Sequence, residues 1–278
     1  MKDSANYNRK LNKSIIFICI SFIVVISFLC GIFLGLTLIR HEQNQNARIV
    51  SLEEKISKYE RDFYTSETKN VEWLDDGYNY LAIGNSITLH GTASYWWNDV
   101  GMAASNKEHD YFHIVSTFLE ENNSSVMSVP YNFTIWETQS HDRDETLTFL
   151  DLYLDPKLNL VTIQLGENVS DLTTYEEDYV SLINYIKRKA PDARILVIED
   201  FWTLKNRNDL KINAIIDTGV EYVSLEGITD NKEYYCGLGT VVYDNEGNEH
   251  IVEHSGVAIH PGDNGMQAIA DKIIDVLK

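Results

Sequence analysis

Cysteine is scarce in this chain. Its 278 residues include three cysteines, and two of them, Cys19 and Cys30, lie in one apolar segment near the N-terminus. Cys236 is therefore alone in the remainder of the chain. A single thiol excludes an intramolecular disulfide framework there, and it also excludes a zinc site built on paired cysteines. We expect no metal and no other cofactor.

Basic residues are also few. The chain has 23 Lys and Arg against 42 Asp and Glu, which gives a formal net charge of −19. Residues 1–40 alone have a net charge of +4, so residues 41–278 have a net charge of −23. A domain this acidic argues against nucleic acid as a partner, because neutralisation of phosphate by cations dominates that affinity. Tight contact with anionic lipid or polyphosphate is disfavoured for the same reason.

One long segment lacks charge altogether. Residues 14–39 contain no charged side chain, and as a helix they would reach about 39 Å, which is enough to cross a bilayer. The alternative is a cleaved signal peptide, whose apolar region is usually about 7–15 residues long and ends in a small-x-small site. No such site is present. We therefore predict a transmembrane anchor over residues 14–39.

The charges beside the apolar segment indicate its orientation. Four basic residues lie within residues 1–13, whereas only Arg40 and Arg48 lie in the 15 residues that follow the segment. The positive-inside rule then places residues 1–13 in the cytoplasm and residues 41–278 outside the membrane. We predict a single-pass protein of the cell membrane with an extracytoplasmic globular domain.

Residues 40–74 have the composition of a stalk. Five apolar residues recur at spacings of three and four, the pattern of a coiled-coil seam: Ile49, Leu52, Ile56, Tyr59 and Phe63. Two heptads are fewer than the three to four typical of a stable coiled coil. A stalk that forms a homodimer and a lone helix that packs on its own domain both remain open.

Residues 75–278 alternate between strand-like and helix-like patterns. The expected strands are Tyr80–Ile83, Val126–Val129, Leu160–Leu165, Arg194–Ile198 and Tyr222–Leu225. The expected helices are Asp110–Glu121, Glu145–Leu154, Tyr175–Ala190, Asp209–Thr218 and Gly265–Leu277. This alternation predicts an α/β fold with a parallel sheet covered on both faces. A hairpin of Val241–Tyr243 and His250–Val252 is expected before the last helix.

Four short segments contain the parts of a serine esterase in a fixed order. They are Gly84-Asn85-Ser86, the segment ending in Gly101, Gly166-Glu167-Asn168, and His260-Pro261. A serine becomes a nucleophile when a base takes its proton and when donors stabilise the oxyanion that forms. Ser86 could attack and His260 could act as base. Asparagine is also common at caps and turns, and Gly101 could be required only for the backbone conformation of a turn. Asn168 or Gly101 alone is therefore weak evidence for catalysis.

This ordered set resembles the SGNH (GDSL-type) hydrolase family over residues 78–278. The resemblance implies a three-layer α/β/α fold with a central, mostly parallel, flavodoxin-like sheet. It implies that Ser86 is the nucleophile and that His260 is the general base. The oxyanion hole would consist of the N–H groups of Ser86 and Gly101 and the side-chain amide of Asn168.

Two positions differ from the family pattern. Asn85 stands where the family has an aspartate, and Val257 stands where an aspartate usually precedes the histidine by three residues. In triads that carboxylate fixes the tautomer of the base, and its loss costs about four orders of magnitude in rate. Glu253 and Asp263 are candidates for orienting His260, and a backbone carbonyl is an equal alternative.

Two other patterns in the sequence have alternative interpretations, as a metal site and as a sugar-binding surface. His250-Ile-Val-Glu-His254 matches a zinc-protease signature, but that motif needs a helix, and on a strand the two histidines would lie about 13 Å apart. Aromatic faces can stack on sugar rings, although tryptophans more often fill cores. The tryptophans near the four segments are Trp96, Trp97, Trp136 and Trp202.

We expect a membrane-anchored extracytoplasmic serine esterase that removes O-acyl groups, favouring acetyl groups, from a carbohydrate or cell-surface glycan. One alternative is an O-acyltransferase, in which the same Ser86 and His260 pass the acyl group to a sugar hydroxyl. Another is a catalytically silent glycan-binding module, which the valine at position 257 favours.

Overall fold

The structure is a computed structural model that describes residues 70–278. The predicted cytoplasmic segment 1–13, the predicted anchor 14–39 and the heptad pattern of the stalk lie outside the described residues. Within residues 70–278, no helix is both long and apolar enough to cross a membrane. The described residues, 70–278, form one compact unit.

A five-stranded parallel sheet forms the centre of the domain. Its strands are β1 (Tyr78–Gly84), β2 (Val126–Asn132), β3 (Leu160–Gln164), β4 (Arg194–Ile198) and β5 (Glu221–Val223). They are arranged in the order β2-β1-β3-β4-β5, and every neighbouring pair is parallel. This is the flavodoxin-like order, so the fold class predicted from the sequence is confirmed for the described residues.

Helices flank the sheet. The long ones are α1 (Tyr111–Asn122), α4 (Tyr175–Lys189), α5 (Lys205–Thr218) and α7 (Asp263–Leu277). Helices α1 and α7 pack against each other, as do α4 and α5. Strand β3 is buried at every residue, as expected of a strand covered on both faces.

Shorter elements complete the domain. They are α2 (Thr134–Thr138), α3 (Arg143–Thr146), α6 (Ser255–Ala258), three 3₁₀ turns at Lys107–His109, Leu147–Leu152 and Lys232–Tyr234, and the antiparallel hairpin of β6 (Val241–Tyr243) and β7 (Glu249–Ile251). The hairpin turn forms because the Asp244 carboxylate accepts hydrogen bonds from the backbone of Glu246 and Asn248. The predicted hairpin is confirmed.

One predicted helix was wrong. Instead of a single helix over Glu145–Leu154, the chain forms α3 and then the 3₁₀ turn Leu147–Leu152. The hydroxyls of Thr146 and Thr148 donate to carbonyls three residues earlier, at 2.7 and 3.0 Å. Such side-chain bonds compete with the regular helical ladder. Strand β5 is also shorter than predicted, because the N–H of Leu225 donates to the side chain of Glu199 instead of to a strand.

A buried ion cluster lies beyond the carboxyl end of β4. Asp200 is fully buried, and its carboxylate accepts from Arg207 at 2.5 Å and from Lys211. Both cations belong to α5, so the cluster joins this helix to the sheet edge. A buried carboxylate is tolerated only when it is paired in this way.

Gly166 packs directly against this cluster, so a substitution at Gly166 tests how closely the cluster is packed. Its φ is +146°, and a Cβ there would lie 2.6 Å from Asp200 Oδ1 and 2.8 Å from the Tyr175 hydroxyl. We expect Gly166→Ala to lower the free energy of unfolding by about 3–5 kcal/mol, from backbone strain and overpacking together. Urea denaturation measures this loss.

Gly247→Ala is the matched control. Gly247 also has a positive φ, +84°, but a Cβ there would meet nothing within 4 Å. Only the backbone strain applies, so a loss of about 1–2 kcal/mol is expected. Equal losses for the two variants would contradict close packing of Gly166 on Asp200.

Candidate active site

Ser86 lies on the turn that follows β1, at the carboxyl edge of the sheet. Asn85 shapes this turn, because its side-chain oxygen accepts from Ile87 N–H at 3.0 Å while its backbone carbonyl accepts from Thr88 and Leu89. Ligands of open α/β sheets bind at this edge. The turn leaves the Ser86 hydroxyl partly exposed, while Asn85 beside it is fully buried.

The structure brings Ser86 and His260 together across 174 residues of chain. His260 lies between α6 and α7, and its Nε2 is 2.9 Å from Ser86 Oγ. The Trp202 and His260 rings form a T-shaped pair, with a centroid distance of 4.9 Å and an interplanar angle of 81°. This separation is within the range for transfer of a proton between nucleophile and base.

A backbone carbonyl orients His260. Nδ1 lies 2.7 Å from the carbonyl oxygen of Gly256, which can only accept a hydrogen bond. Nδ1 must therefore bear the proton in the neutral ring, and Nε2 is left with a lone pair that faces the Ser86 hydroxyl. This tautomer is the one that a general base requires.

Of the alternatives for orienting His260, the structure has the backbone carbonyl, and neither carboxylate candidate, Glu253 or Asp263, takes its place at Nδ1. Asp263 instead accepts from the backbone and the hydroxyl of Ser105, each at 2.7 Å, and its Oδ2 lies 3.1 Å from His109. Glu253 is exposed on the chain between β7 and α6. The family position of the missing aspartate, Val257, is 1% exposed and belongs to the apolar core.

Burial dominates the acid–base chemistry of His260. Its pKa is lowered to about 4, mainly because burial disfavours the charged imidazolium. The Gly256 carbonyl opposes this shift, whereas nearby His90 and His254 add to it. His260 is therefore neutral, with an available lone pair, throughout the physiological pH range.

Gly101 does not supply a free donor, contrary to prediction. Its N–H donates to the buried carboxylate of Asp110 at 3.1 Å. A glycine is nevertheless required there, because a Cβ would lie 2.5 Å from the Ile87 carbonyl. The next residue, Met102, donates its N–H to the Ser86 carbonyl at 2.8 Å, and Ala103 after it has a φ of +78°, which is unusual for a residue with a side chain.

Asn168 is exposed at the same edge of the sheet. One hydrogen of its side-chain amide donates to Glu137 Oε2 at 2.6 Å, and its backbone N–H lies 3.4 Å from Glu137 Oε1. An amide nitrogen bears two hydrogens, so the second is available to a substrate oxygen. Its predicted role in the oxyanion hole stays a prediction, as does that of Ser86 N–H.

Two carboxylates contact Asn85, the residue before Ser86: Glu137 is 1% exposed and Glu167 is partly buried. No sequence motif indicated Glu137, whereas Glu167 belongs to the Gly166-Glu167-Asn168 segment, in which no role was predicted for it. Asn85 Nδ2 donates to Glu137 at 3.2 Å and to Glu167 at 2.7 Å. Burial raises the pKa of both carboxyls, that of Glu167 to about 7, and the negative charges of Asp200 and Glu137 add to the rise at Glu167. For Glu137, the available signal was an asparagine at position 85, where the SGNH pattern has an acid.

The tryptophans and the histidine motif have other roles. Trp96 and Trp136 are fully buried, so the interpretation as core residues holds for them. The second pair, Trp97 and Trp202, is only partly buried. Within the histidine motif, the His250 ring on β7 stacks on Trp97 with a centroid distance of 4.5 Å, and its Nε2 contacts Asp244. The His254 ring stacks on exposed Tyr95 with a centroid distance of 4.8 Å.

Comparison with known proteins gives similarities of fold. No family model and no curated protein matches the chain. A two-domain esterase active on acetylated mannans, crystallised with mannopentaose, matches 72% of this chain and 48% of its own at 15% identity and a TM-score of 0.46. This chain therefore spans about half the length of that esterase.

Two further solved structures are similar. A family two carbohydrate esterase from Clostridium thermocellum, in complex with cellohexaose, matches 76% of this chain and 65% of its own at 18% identity and a TM-score of 0.45. A protein from Bacteroides ovatus described as a GDSL-like lipase matches 72% of this chain and 98% of its own at 14% identity and a TM-score of 0.45. At these scores the similarity bears on neither activity nor substrate.

The pKa of His260 predicts the pH dependence of any reaction in which it is the base. The neutral imidazole is the active form, and it persists down to a pH of about 4. We expect the acid limb of kcat/KM for ester hydrolysis to be half-maximal near pH 4, well below the usual value for histidine of about 6.5. His254→Asn should move this limb to higher pH, because one opposing imidazole is removed. A limb near pH 6.5 in the unmodified protein would contradict the burial of His260.

Proposed function

We propose that this protein is a serine esterase in which Ser86 attacks the ester carbonyl and His260 is the general base. The observation that supports this most strongly is the 2.9 Å separation of Ser86 Oγ and His260 Nε2, together with a hydrogen bond at Nδ1 that fixes the tautomer. Nucleophile, base and orienting acceptor form the chain of contacts that nucleophilic catalysis requires.

The reaction proceeds in two steps. His260 Nε2 takes the Ser86 proton as Oγ bonds to the carbonyl carbon, and the second amide hydrogen of Asn168 stabilises the oxyanion. The imidazolium then returns its proton to the departing alcohol, leaving an acyl-serine. A water molecule, deprotonated by His260, releases the acid and restores the serine.

A carbonyl at Nδ1 makes this a slow catalyst in comparison with triads. The Gly256 oxygen orients the ring, but it has no full negative charge to stabilise the imidazolium that forms in the transition state. Burial further disfavours that cation, as the pKa of about 4 indicates. Turnover therefore depends strongly on stabilisation of the oxyanion.

We propose O-acyl groups, favouring acetyl groups, on a carbohydrate or cell-surface glycan as the substrate class. Partly exposed aromatic rings support this, since Trp202 lies against His260 and Tyr95 stacks on His254 close by. Aromatic faces at such a rim provide apolar surface for sugar rings. The strong negative charge of residues 41–278 favours a neutral ester over an anionic one.

The central test removes the nucleophile. We expect Ser86→Ala to lower kcat for p-nitrophenyl acetate by at least about 10³-fold, because members of such a catalytic unit fail together. Release of acetate from acetylated glycans should fall in parallel. Ser94→Ala, at an exposed position of the next loop, is the matched control and should keep full activity. Turnover unchanged in Ser86→Ala would refute the assignment.

We further propose that residues 14–39 anchor the protein, with residues 1–13 in the cytoplasm and the catalytic domain outside the cell membrane. The length of the uncharged run and the four basic residues before it support this orientation. The heptad pattern of the stalk supports a homodimer.

Localisation is tested on intact cells. The full chain should sediment with membranes, resist extraction by carbonate, and lose its globular domain to a protease added outside the cell. Replacing Lys2, Arg9, Lys10 and Lys13 by Glu should reduce or invert this accessibility, since those charges set the orientation. Recovery of the full chain in the soluble fraction would contradict the anchor.

A further inference from the structure

Glu137 occupies a position that the proposed reaction does not yet explain. It lies on α2, just after β2, and is only 1% exposed. Burial of a carboxylate is costly unless donors surround it, and here burial raises the pKa of Glu137 while four hydrogen bonds lower it. A carboxylate buried at such a cost, and hydrogen-bonded to the residue that precedes Ser86, is a candidate for a role in the reaction.

Every hydrogen-bond contact of Glu137 in the described residues is with a donor. Oε1 accepts from Gly166 N–H at 2.5 Å, from Asn85 Nδ2 at 3.2 Å and from Asn168 N–H at 3.4 Å. Oε2 accepts from the side-chain amide of Asn168 at 2.6 Å. Among these contacts a protonated carboxyl would find no acceptor for its O–H, so the surroundings favour the ionised carboxylate.

These contacts join the two catalytic turns. Asn85 precedes the nucleophile on the β1 turn, while Gly166 and Asn168 belong to the turn after β3. Glu137 thus links the side chain of Asn85, next to Ser86, to the side-chain amide of Asn168. Asn85 completes the bridge by donating its second hydrogen to Glu167 at 2.7 Å.

The same contacts explain why position 85 is an amide. An aspartate there would place a third carboxylate between Glu137 and Glu167, where it would repel both and could donate to neither. The asparagine donates to both and still accepts from Ile87 N–H. The difference from the family pattern at position 85 is therefore matched to the carboxylate at position 137.

We propose that Glu137 is a positioning residue that fixes the orientation of the Asn168 amide, so that its second N–H faces the oxyanion. This inference rests on the proposed esterase function. An asparagine side chain can present either its oxygen or its nitrogen at the same site, and an exposed one has little else to select between them. The carboxylate at 2.6 Å selects the nitrogen.

Glu137→Gln is the informative substitution because it keeps size and hydrogen-bonding capacity. The glutamine oxygen can still accept from Gly166 and Asn85, but its NH₂ group then faces Asn168. Asn168 must rotate its amide to avoid a clash of two donors. The rotated side chain directs its oxygen, an acceptor, at the oxyanion.

The experiment is a double-mutant cycle in the full chain, with p-nitrophenyl acetate as the probe. We expect Asn168→Ala and Glu137→Gln each to lower kcat by about 10²–10³-fold, the effect of losing one oxyanion donor, with KM changed less than about threefold. In the Asn168→Ala background, Glu137→Gln should cost less than about threefold more, because its effect passes through the lost amide.

The controls separate positioning from folding. Glu145→Gln, an exposed glutamate on α3, should leave kcat unchanged. Near-UV circular dichroism tests whether Glu137→Gln folds. If it does not, Glu137→Asp keeps the charge but is one methylene too short to reach Asn168, and the same non-additive loss is expected.

The outcomes are distinct. Multiplicative losses in the double variant, or a Glu137 variant that folds and keeps its kcat, would overturn the positioning role while leaving the esterase intact. If Ser86→Ala hydrolyses the ester as fast as the unmodified protein does, the proposed function itself is overturned. A loss in kcat of similar size in each single variant, with little further loss in the double variant, supports the inference.

Discussion

The hydrogen bond from His260 Nδ1 to the Gly256 carbonyl is the interaction on which the site depends. It is 2.7 Å long, and it directs the ring lone pair at Ser86. Gly256 also leaves room for this arrangement, since a Cβ there would lie 2.9 Å from the His254 ring. A neutral acceptor fixes the tautomer as a carboxylate would, but it stabilises the imidazolium far less. In this protein the acceptor at Nδ1 therefore orients the imidazole without supplying the negative charge that would stabilise the imidazolium.

Negative charge is concentrated instead around Asn85, the residue that precedes Ser86. The negative charges of Asp200 and Glu137 are close enough to Glu167 to raise the pKa of its carboxyl. Their burial is offset by donors from three turns of the sheet edge and by Arg207 and Lys211 of α5. Arg207 also donates to the Glu167 carbonyl at 3.1 Å, so this helix holds the chain segment that presents Asn168. The polar network thus rigidifies the donor side of the site.

The sequence indicated the fold more fully than the site. Strands such as Leu160–Gln164 are continuous apolar runs, and their burial on both faces follows from composition alone. Ser86 and His260 were found because each lies in a short local pattern. Glu137 could not be found, since its partners lie 29 to 52 residues away and no spacing links them. The predicted donor role of Gly101 was wrong for a similar reason. Its N–H donates to the carboxylate of Asp110, which is the N-cap residue of α1, and no motif links the two positions.

The absence of an aspartate at position 257 and the hydrogen bond from Nδ1 to a backbone carbonyl are structurally related. Val257 is 1% exposed within an apolar cluster that includes Met266 and Ile269 of α7. An ionised side chain there would lose its hydration without a cation to pair with, which is costly in a core. The core packing of α7 on the sheet therefore favours an apolar residue at 257. The short helix α6 then brings the Gly256 carbonyl to the imidazole, so the hydrogen bond that a carboxylate would supply comes from the backbone.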